Sequence, residues 1–217
     1  MPRRSRPTLL LLVRHGRTPT TGQVLPGRAR GLHLSDEGRR QADALAGRLA
    51  EWAGGPGPGK VAAVYASPME RARETAAPLA AALGLRVRVE RGLNECDFGE
   101  WTGRSLKELA KTPEWTTVQR YPSGFGFPGG ESFSAMAARI ADTVAALCDR
   151  HRGQAVVAVS HADPIKAAVA GALGTHLDLF QRIMIAPCSL SAISVSAAGP
   201  AVVAVNSTGS LAELAGS

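Results

Sequence analysis

Three observations in the chain predict a three-layer α/β/α sandwich built on a mostly parallel central sheet. Short apolar runs occur at 9–13, 61–66 and 155–160, each bounded by polar or glycine-rich residues. Strands of a parallel sheet, covered on both faces, carry such runs. Longer segments with apolar residues at helical spacing alternate with the runs, and that alternation builds β-α-β units. Finally, Arg14-His15 and Ser160-His161 each follow directly on an apolar run. Polar residues at such strand ends line the crevice where α/β sheets hold ligands.

The elements follow in order. The first strand, 9–13, feeds an irregular Gly-, Thr-, Pro- and Arg-rich loop over 18–34. Ser35 is suited to cap a helix whose first turn holds Asp36 and Glu37, where the dipole favours negative charge. Ala42, Leu45, Leu49 and Trp52 mark its apolar face, and the Gly/Pro run 54–59 ends it. The second strand is 61–66. Ser67-Pro68 predicts the start of a helix that runs to Leu83 and closes at Gly84. A short strand at 87–89 leads into the loop 94–103 and a short helix near 106–110. The stretch 112–130 lacks periodicity and reads as an excursion over one end of the sheet. A long helix is predicted over 131–151, with Met136, Ile140, Val144 and Leu147 on one face. The strand 155–160 and a helix over 164–173 come next. Two closing strands, 190–195 and 202–205, suit an antiparallel pair. One domain spans 1–217, with flexible tails expected at 1–7 and 207–217.

Bulk properties narrow the function classes. Lys and Arg exceed Asp and Glu by 25 − 18 = 7. Arg3, Arg4 and Arg6 supply three of these charges, and no aromatic-interleaved basic patch accompanies them, so nucleic acid is not an expected partner. Cys96, Cys148 and Cys188 are odd in number and widely spaced, which fits neither a disulfide framework nor a zinc site. The apolar run at 9–13 is too short for a signal peptide, and no stretch approaches the roughly 18 apolar residues of a membrane span. A cytoplasmic location without a membrane partner is expected.

Four short elements carry the chemistry. Arg14-His15-Gly16-Arg17-Thr18 sets an imidazole beside a guanidinium fork suited to phosphate oxygens. Ser67-Pro68-Met69-Glu70-Arg71-Ala72-Arg73-Glu74-Thr75-Ala76 lies at a strand-to-helix junction, where free N–H groups favour an anion. Arg71 is placed to reach the same anion as Arg14. Leu93-Asn94-Glu95-Cys96-Asp97-Phe98-Gly99-Glu100-Trp101-Thr102-Gly103 offers three carboxylates, one of which, kept protonated, is a candidate general acid. Ser160-His161-Ala162-Asp163 supplies a second imidazole. His33, His151 and His176 read as surface or helix-end residues, and Trp101, Trp115, Tyr121, Phe125 and Phe127 as packing of the excursion.

Taken in order, R-H-G, S-P-x-x-R-A-x-x-T-A, L-x-E-x-x-x-G-x-W-x-G and a late S-H make the chain resemble the histidine phosphatase superfamily over nearly its whole length. That group includes cofactor-dependent phosphoglycerate mutases and small acid phosphatases, and this chain looks most like a small acid phosphatase or phosphomutase branch. The resemblance implies a phosphoglycerate mutase-like fold and metal-independent hydrolysis of a small phosphate ester through a phosphohistidine. It implies His15 as nucleophile, Arg14, Arg71 and His161 around the phosphoryl group, and Glu95 as acid and then base, with no cofactor. A phosphomutase and a catalytically inactive phosphate-binding module are the alternatives, and a homodimer is the family-based expectation. Two positions depart from the pattern: Arg17 stands where an acidic residue is common, and Thr21 where asparagine is common. Thr18, Thr21, Arg17 and Arg28 are the candidate substrate-binding residues of the loop.

Overall fold

The computed structural model describes residues 6–55, 60–211 and 214. Six strands form one sheet in the order β3-β2-β4-β1-β5-β6. They are β1 (Thr8–Arg14), β2 (Val61–Ala66), β3 (Val87–Val89), β4 (Ala155–Ser160), β5 (Leu190–Ser196) and β6 (Gly199–Ser207). The first four are mutually parallel, and β5 and β6 close the sheet as an antiparallel pair. The helices are α1 (Asp36–Gly54), α2 (Glu70–Ala82), α3 (Leu106–Leu109), α4 (Pro113–Arg120), α5 (Phe133–Arg150) and α6 (Ala162–Ala172).

Alternation along β1 explains the layering. Leu9, Leu11 and Val13 pack with α1 and α2 on one face, and Leu10 and Leu12 with α5 and α6 on the other. Successive strand side chains point to opposite faces, so an all-apolar strand needs cover on both. Each fully buried Leu here contributes about 1.5–3 kcal/mol. A second feature locks the end of β1. A Cβ on Gly16 would lie 2.6 Å from Gly38 O, and one on Gly38 would lie 2.1 Å from Arg17 O. Only glycine at both positions lets the turn after β1 rest on the first turn of α1, which Ser35 caps by accepting from Gly38 N.

Some boundaries differ from the sequence expectation. Helix α2 begins at Glu70 rather than at Ser67-Pro68, because the Ser67 hydroxyl is drawn into a hydrogen-bond chain with His161 and Asn94. Helix α5 begins at Phe133, after Ser132 accepts from Ala135 N as its cap. The excursion 112–130 contains α4, with Pro113 in its first turn and only Val118 buried, so its apolar periodicity was too sparse to read. Trp101, Phe125 and Phe127 stack with Phe98, Phe133 and Phe180 in the core beneath it, while Tyr121 is exposed. Of the expected tails, 1–5, 212–213 and 215–217 lie outside the described residues. Within the C-terminal one, β6 reaches Ser207, and Leu211 and Leu214 are buried against the α1/α2 face, so apolar anchors hold that stretch down.

Among the described residues no helix is long and apolar enough to cross a membrane. All three cysteines are buried free thiols.

Candidate active site

Four parallel strands end at one edge of the sheet, and the residues that follow them meet there. The register sets Arg14 opposite Ser160, and His15 N donates to Ser160 O at 3.0 Å. His15 and His161, each one residue beyond, therefore lie side by side with ring centroids 5.2 Å apart. Strand β2 delivers Ser67 and then Arg71 in the first turn of α2. Strand β3 leads into the loop that carries Glu95.

Arg71 is fully buried among these groups. Its Nε donates to His15 Nε2 (3.3 Å), and its Nη2 to His161 Nδ1 (3.2 Å) and Gly27 O (2.8 Å). A guanidinium only donates, so both ring nitrogens must accept. His15 Nδ1 lies 2.8 Å from Gly16 O, which only accepts, so Nδ1 carries the proton. The network thus assigns His15 as neutral, with its lone pair on Nε2 facing Arg71. Burial, then the charges of Arg71 and Arg14, push the His15 imidazolium well below the usual histidine range. His161 is pushed down for the same reasons. Its Nε2 donates to Ser67 Oγ (2.8 Å), which donates on to Asn94 Oδ1 (3.1 Å).

Among the described residues, two cationic donors here have no partner. Arg14 gives Nη1 to Ile185 O (2.7 Å), but its buried Nε has no hydrogen bond, nor has Arg71 Nη1. An unmet buried donor costs about 1–3 kcal/mol, more when charged. Such a cost, held beside an imidazole whose Nε2 is unprotonated, suits a site for an oxyanion.

Glu95 faces this cluster. Its Oε2 lies 3.9 Å from His161 Nδ1, and its Oε1 accepts from Cys96 N at 2.9 Å. Burial, and then the negative charge of Asp163, raise its carboxyl to about 7, against the pull of Arg71, the Cys96 N–H and Arg14. An acid raised by the fold stabilises the folded state fully below its unfolded value near 4.5, and that stability is lost as pH rises through about 7. Glu95→Gln should therefore melt higher than the wild type at pH 8, by up to about 3 kcal/mol in stability. The gap should shrink towards pH 4. Thermal melts across pH check this, and a gap independent of pH would contradict it.

The loop residues fall differently. Thr18 is buried, and Thr21 Oγ1 accepts from Thr18 N (2.8 Å) and lies 3.0 Å from Thr18 Oγ1; the Thr21 hydroxyl holds the turn. Arg17 is exposed, with its N–H on Gln41 Oε1 (3.1 Å) and its carbonyl accepting from Ser35 N (2.9 Å). Arg28 is engaged within the protein. Its three nitrogens donate to Glu95 O (2.9 Å), Asp97 Oδ2 (3.4 Å) and Glu131 Oε2 (3.0 Å). Asp163 pairs with Lys166 (3.2 Å) rather than with His161. His33 pairs with Glu74 at the surface. His151 ends α5 but is buried, with Nε2 3.0 Å from Tyr65 Oη.

Other residues of the site were missed in the sequence. Thr75 Oγ1 accepts from Gly16 N (3.0 Å) and donates to Arg71 O (2.7 Å), tying the His15 turn to α2. Its signal was the T of the second motif. Glu131 and Arg139 surround the Glu95 loop, and no local pattern announced them.

The family model described as "Histidine phosphatase superfamily (branch 1)" matches residues 10–208. A bifunctional protein of Mycobacterium tuberculosis is 36% identical over 210 residues, covering 96% of this chain but 56% of that protein. The chain thus spans little more than half the length of that relative. Phosphoserine phosphatase 1 of Hydrogenobacter thermophilus is 31% identical over 209 residues, 94% of each chain. The solved structure of a mycobacterial glucosyl-3-phosphoglycerate phosphatase superposes with a TM-score of 0.80 at 26% identity, covering 93% of this chain and 100% of that one.

Proposed function

The chain belongs to branch 1 of the histidine phosphatase superfamily, and on that premise we propose that it hydrolyses a small phosphate monoester through a phosphohistidine. The observation that carries this reading is the neutral His15, its Nε2 lone pair fixed beside the unmet donors of Arg14 and Arg71. His15 Nε2 attacks phosphorus while the bond to the leaving oxygen breaks. Glu95, protonated at the start, gives that oxygen its proton and releases an alcohol. The phosphoryl oxygens take the N–H groups of Arg14 and Arg71. His161, whose protonation is opposed by burial first and then by these cations, stands beside the phosphoryl group as a further member of the site. Water then attacks the phosphohistidine and gives its proton to the Glu95 carboxylate. Inorganic phosphate, neutral His15 and protonated Glu95 result, so all atoms are restored.

No step calls on a metal, so the rate should be unchanged in EDTA. The profile of kcat/KM should fall on the alkaline side from about pH 7, as Glu95 loses its proton, and stay level well below 6.5, because His15 remains neutral there. The substrate class follows the relatives: phosphorylated three-carbon acids and their glycosides are the first compounds to assay. A panel of phosphomonoesters including 3-phosphoglycerate decides the reaction. Free phosphate supports hydrolysis, 2-phosphoglycerate as product establishes a mutase, and tight binding without turnover establishes an inactive module.

A further inference from the structure

The groups that line the reaction centre do not explain why the acid stays in place. Glu95 sits in a loop without regular structure, and among the described residues its side chain has a single hydrogen bond, to its own neighbour Cys96 N. Its main-chain carbonyl is held far more firmly. Arg28 Nε reaches it at 2.9 Å and Arg139 Nη2 at 3.3 Å. The same two guanidiniums share one carboxylate. Glu131 Oε2 accepts from Arg28 Nη2 (3.0 Å) and from Arg139 Nη2 (2.8 Å), and Glu131 Oε1 accepts from Arg139 Nε (2.8 Å). Arg139 Nη1 further grips Gly92 O (2.7 Å) and Asn94 O (2.9 Å). We propose that Arg28, Glu131 and Arg139 form a clamp that positions Glu95 for proton transfer to the leaving oxygen. The inference rests on the phosphohistidine reading, in which Glu95 is the acid.

The clamp draws on three separate parts of the chain. Arg28 comes from the loop after His15, Glu131 from the residues before α5, and Arg139 from within α5. The Glu131 segment is joined to the acid loop by backbone as well. Glu131 N donates to Asp97 O (2.8 Å), and Glu100 N to Pro128 O (2.9 Å). A Cβ on Gly99 would lie 2.1 Å from Pro128 O, and one on Gly130 would lie 2.4 Å from Asp97 O. Gly27, the neighbour of Arg28, takes Arg71 Nη2 through its carbonyl. The clamp therefore fixes the acid relative to the same guanidinium that faces the nucleophile. Burial opposes ionisation of Glu131, but the Arg139 hydrogen bonds and charge, aided by Asp97 N–H and Arg28, hold it below the usual carboxylate value. A bridging carboxylate ionised across the working pH range suits a part that must not titrate with the acid it supports.

Arg28, Glu131 and Arg139 are positioning residues, and the choice of leaving group distinguishes that role from general stability. An alkoxide leaves only with a proton, whereas p-nitrophenolate leaves without one. The test compares wild type, Glu131→Gln, Arg139→Lys and Glu95→Gln. It measures leaving-group release in single turnovers with glycerol 2-phosphate and with p-nitrophenyl phosphate. Glu95→Gln defines the full loss of the acid. Glu131→Gln keeps the side-chain volume, and Arg139→Lys keeps the charge but not the fork, so either one serves if the other does not fold. The clamp predicts that each slows release from glycerol 2-phosphate about tenfold or more and from p-nitrophenyl phosphate less than about threefold, as a displaced acid would. Equal slowing on both esters, or no slowing in a folded variant, overturns the clamp while leaving the phosphatase reading intact. A wild type that releases neither alcohol overturns the phosphatase reading, and the clamp with it.

Discussion

His15→Ala should lower turnover of any phosphomonoester by at least about 10⁴-fold, because a nucleophile has no substitute within a unit that acts together. The variant should also fail to retain phosphate covalently after a rapid acid quench, whereas the wild type traps a phosphohistidine. Binding should persist. Arg14 and Arg71 keep their unmet N–H groups when the imidazole is removed, so the dissociation constant for a substrate should stay within about tenfold of the wild type. The two measurements together separate chemistry from recognition. Retained turnover in His15→Ala would remove the assignment of this side chain altogether.

Arg71→Met should be nearly as damaging, and for a different reason. Arg71 holds both histidines and a loop carbonyl at once, and it carries a buried donor that no group among the described residues meets. Losing the guanidinium removes charge stabilisation of the phosphoryl group, which costs about 10²–10³ for one such donor. We expect about 10³-fold lower kcat/KM here, since more than one N–H is lost. A second consequence follows from linkage. Inorganic phosphate at about 100 times its dissociation constant stabilises a protein by ~2.7 kcal/mol, and that rise in Tm should largely vanish in Arg71→Met. The pH profile should also change. The charge of Arg71 is the second cause, after burial, that keeps His15 unprotonated, so the residual activity should acquire an acid limb that the wild type lacks. Phosphate-dependent melting and a pH–rate series check both. Undiminished stabilisation by phosphate would mean that the anion binds elsewhere.

The parts of this molecule that could be read in sequence share one property: their cause is local. Strand β1 was legible because Leu9 to Val13 must be covered on both faces, and α1 because Ser35 and the apolar spacing after it mark a start and a face. The five proposed catalytic groups were legible because each follows an apolar strand or sits in a motif of fixed spacing. Helix α4 was not, since it buries little and so carries no apolar stripe. The start of α2 was misplaced because Ser67, a plausible helix opener by type, is claimed by His161 from another strand.

Arg28 shows the boundary most clearly. Its position in the loop after His15 suggested a substrate-binding residue, and its residue type allowed it. Its actual partners are Glu95, Asp97 and Glu131, 67 to 103 positions away. Thr21, likewise, turns inward on Thr18. The sequence by itself determined the layered fold and the strand ends, and made His15, Glu95, Arg14, Arg71 and His161 candidates, because apolar periodicity and strand-end polarity act over a few residues. Only the tertiary structure decided which nitrogen of His15 carries the proton, which way Glu95 is pushed, and which arginines face the centre. Those properties depend on burial, register and charges brought together from distant segments, and no short stretch of chain contains them.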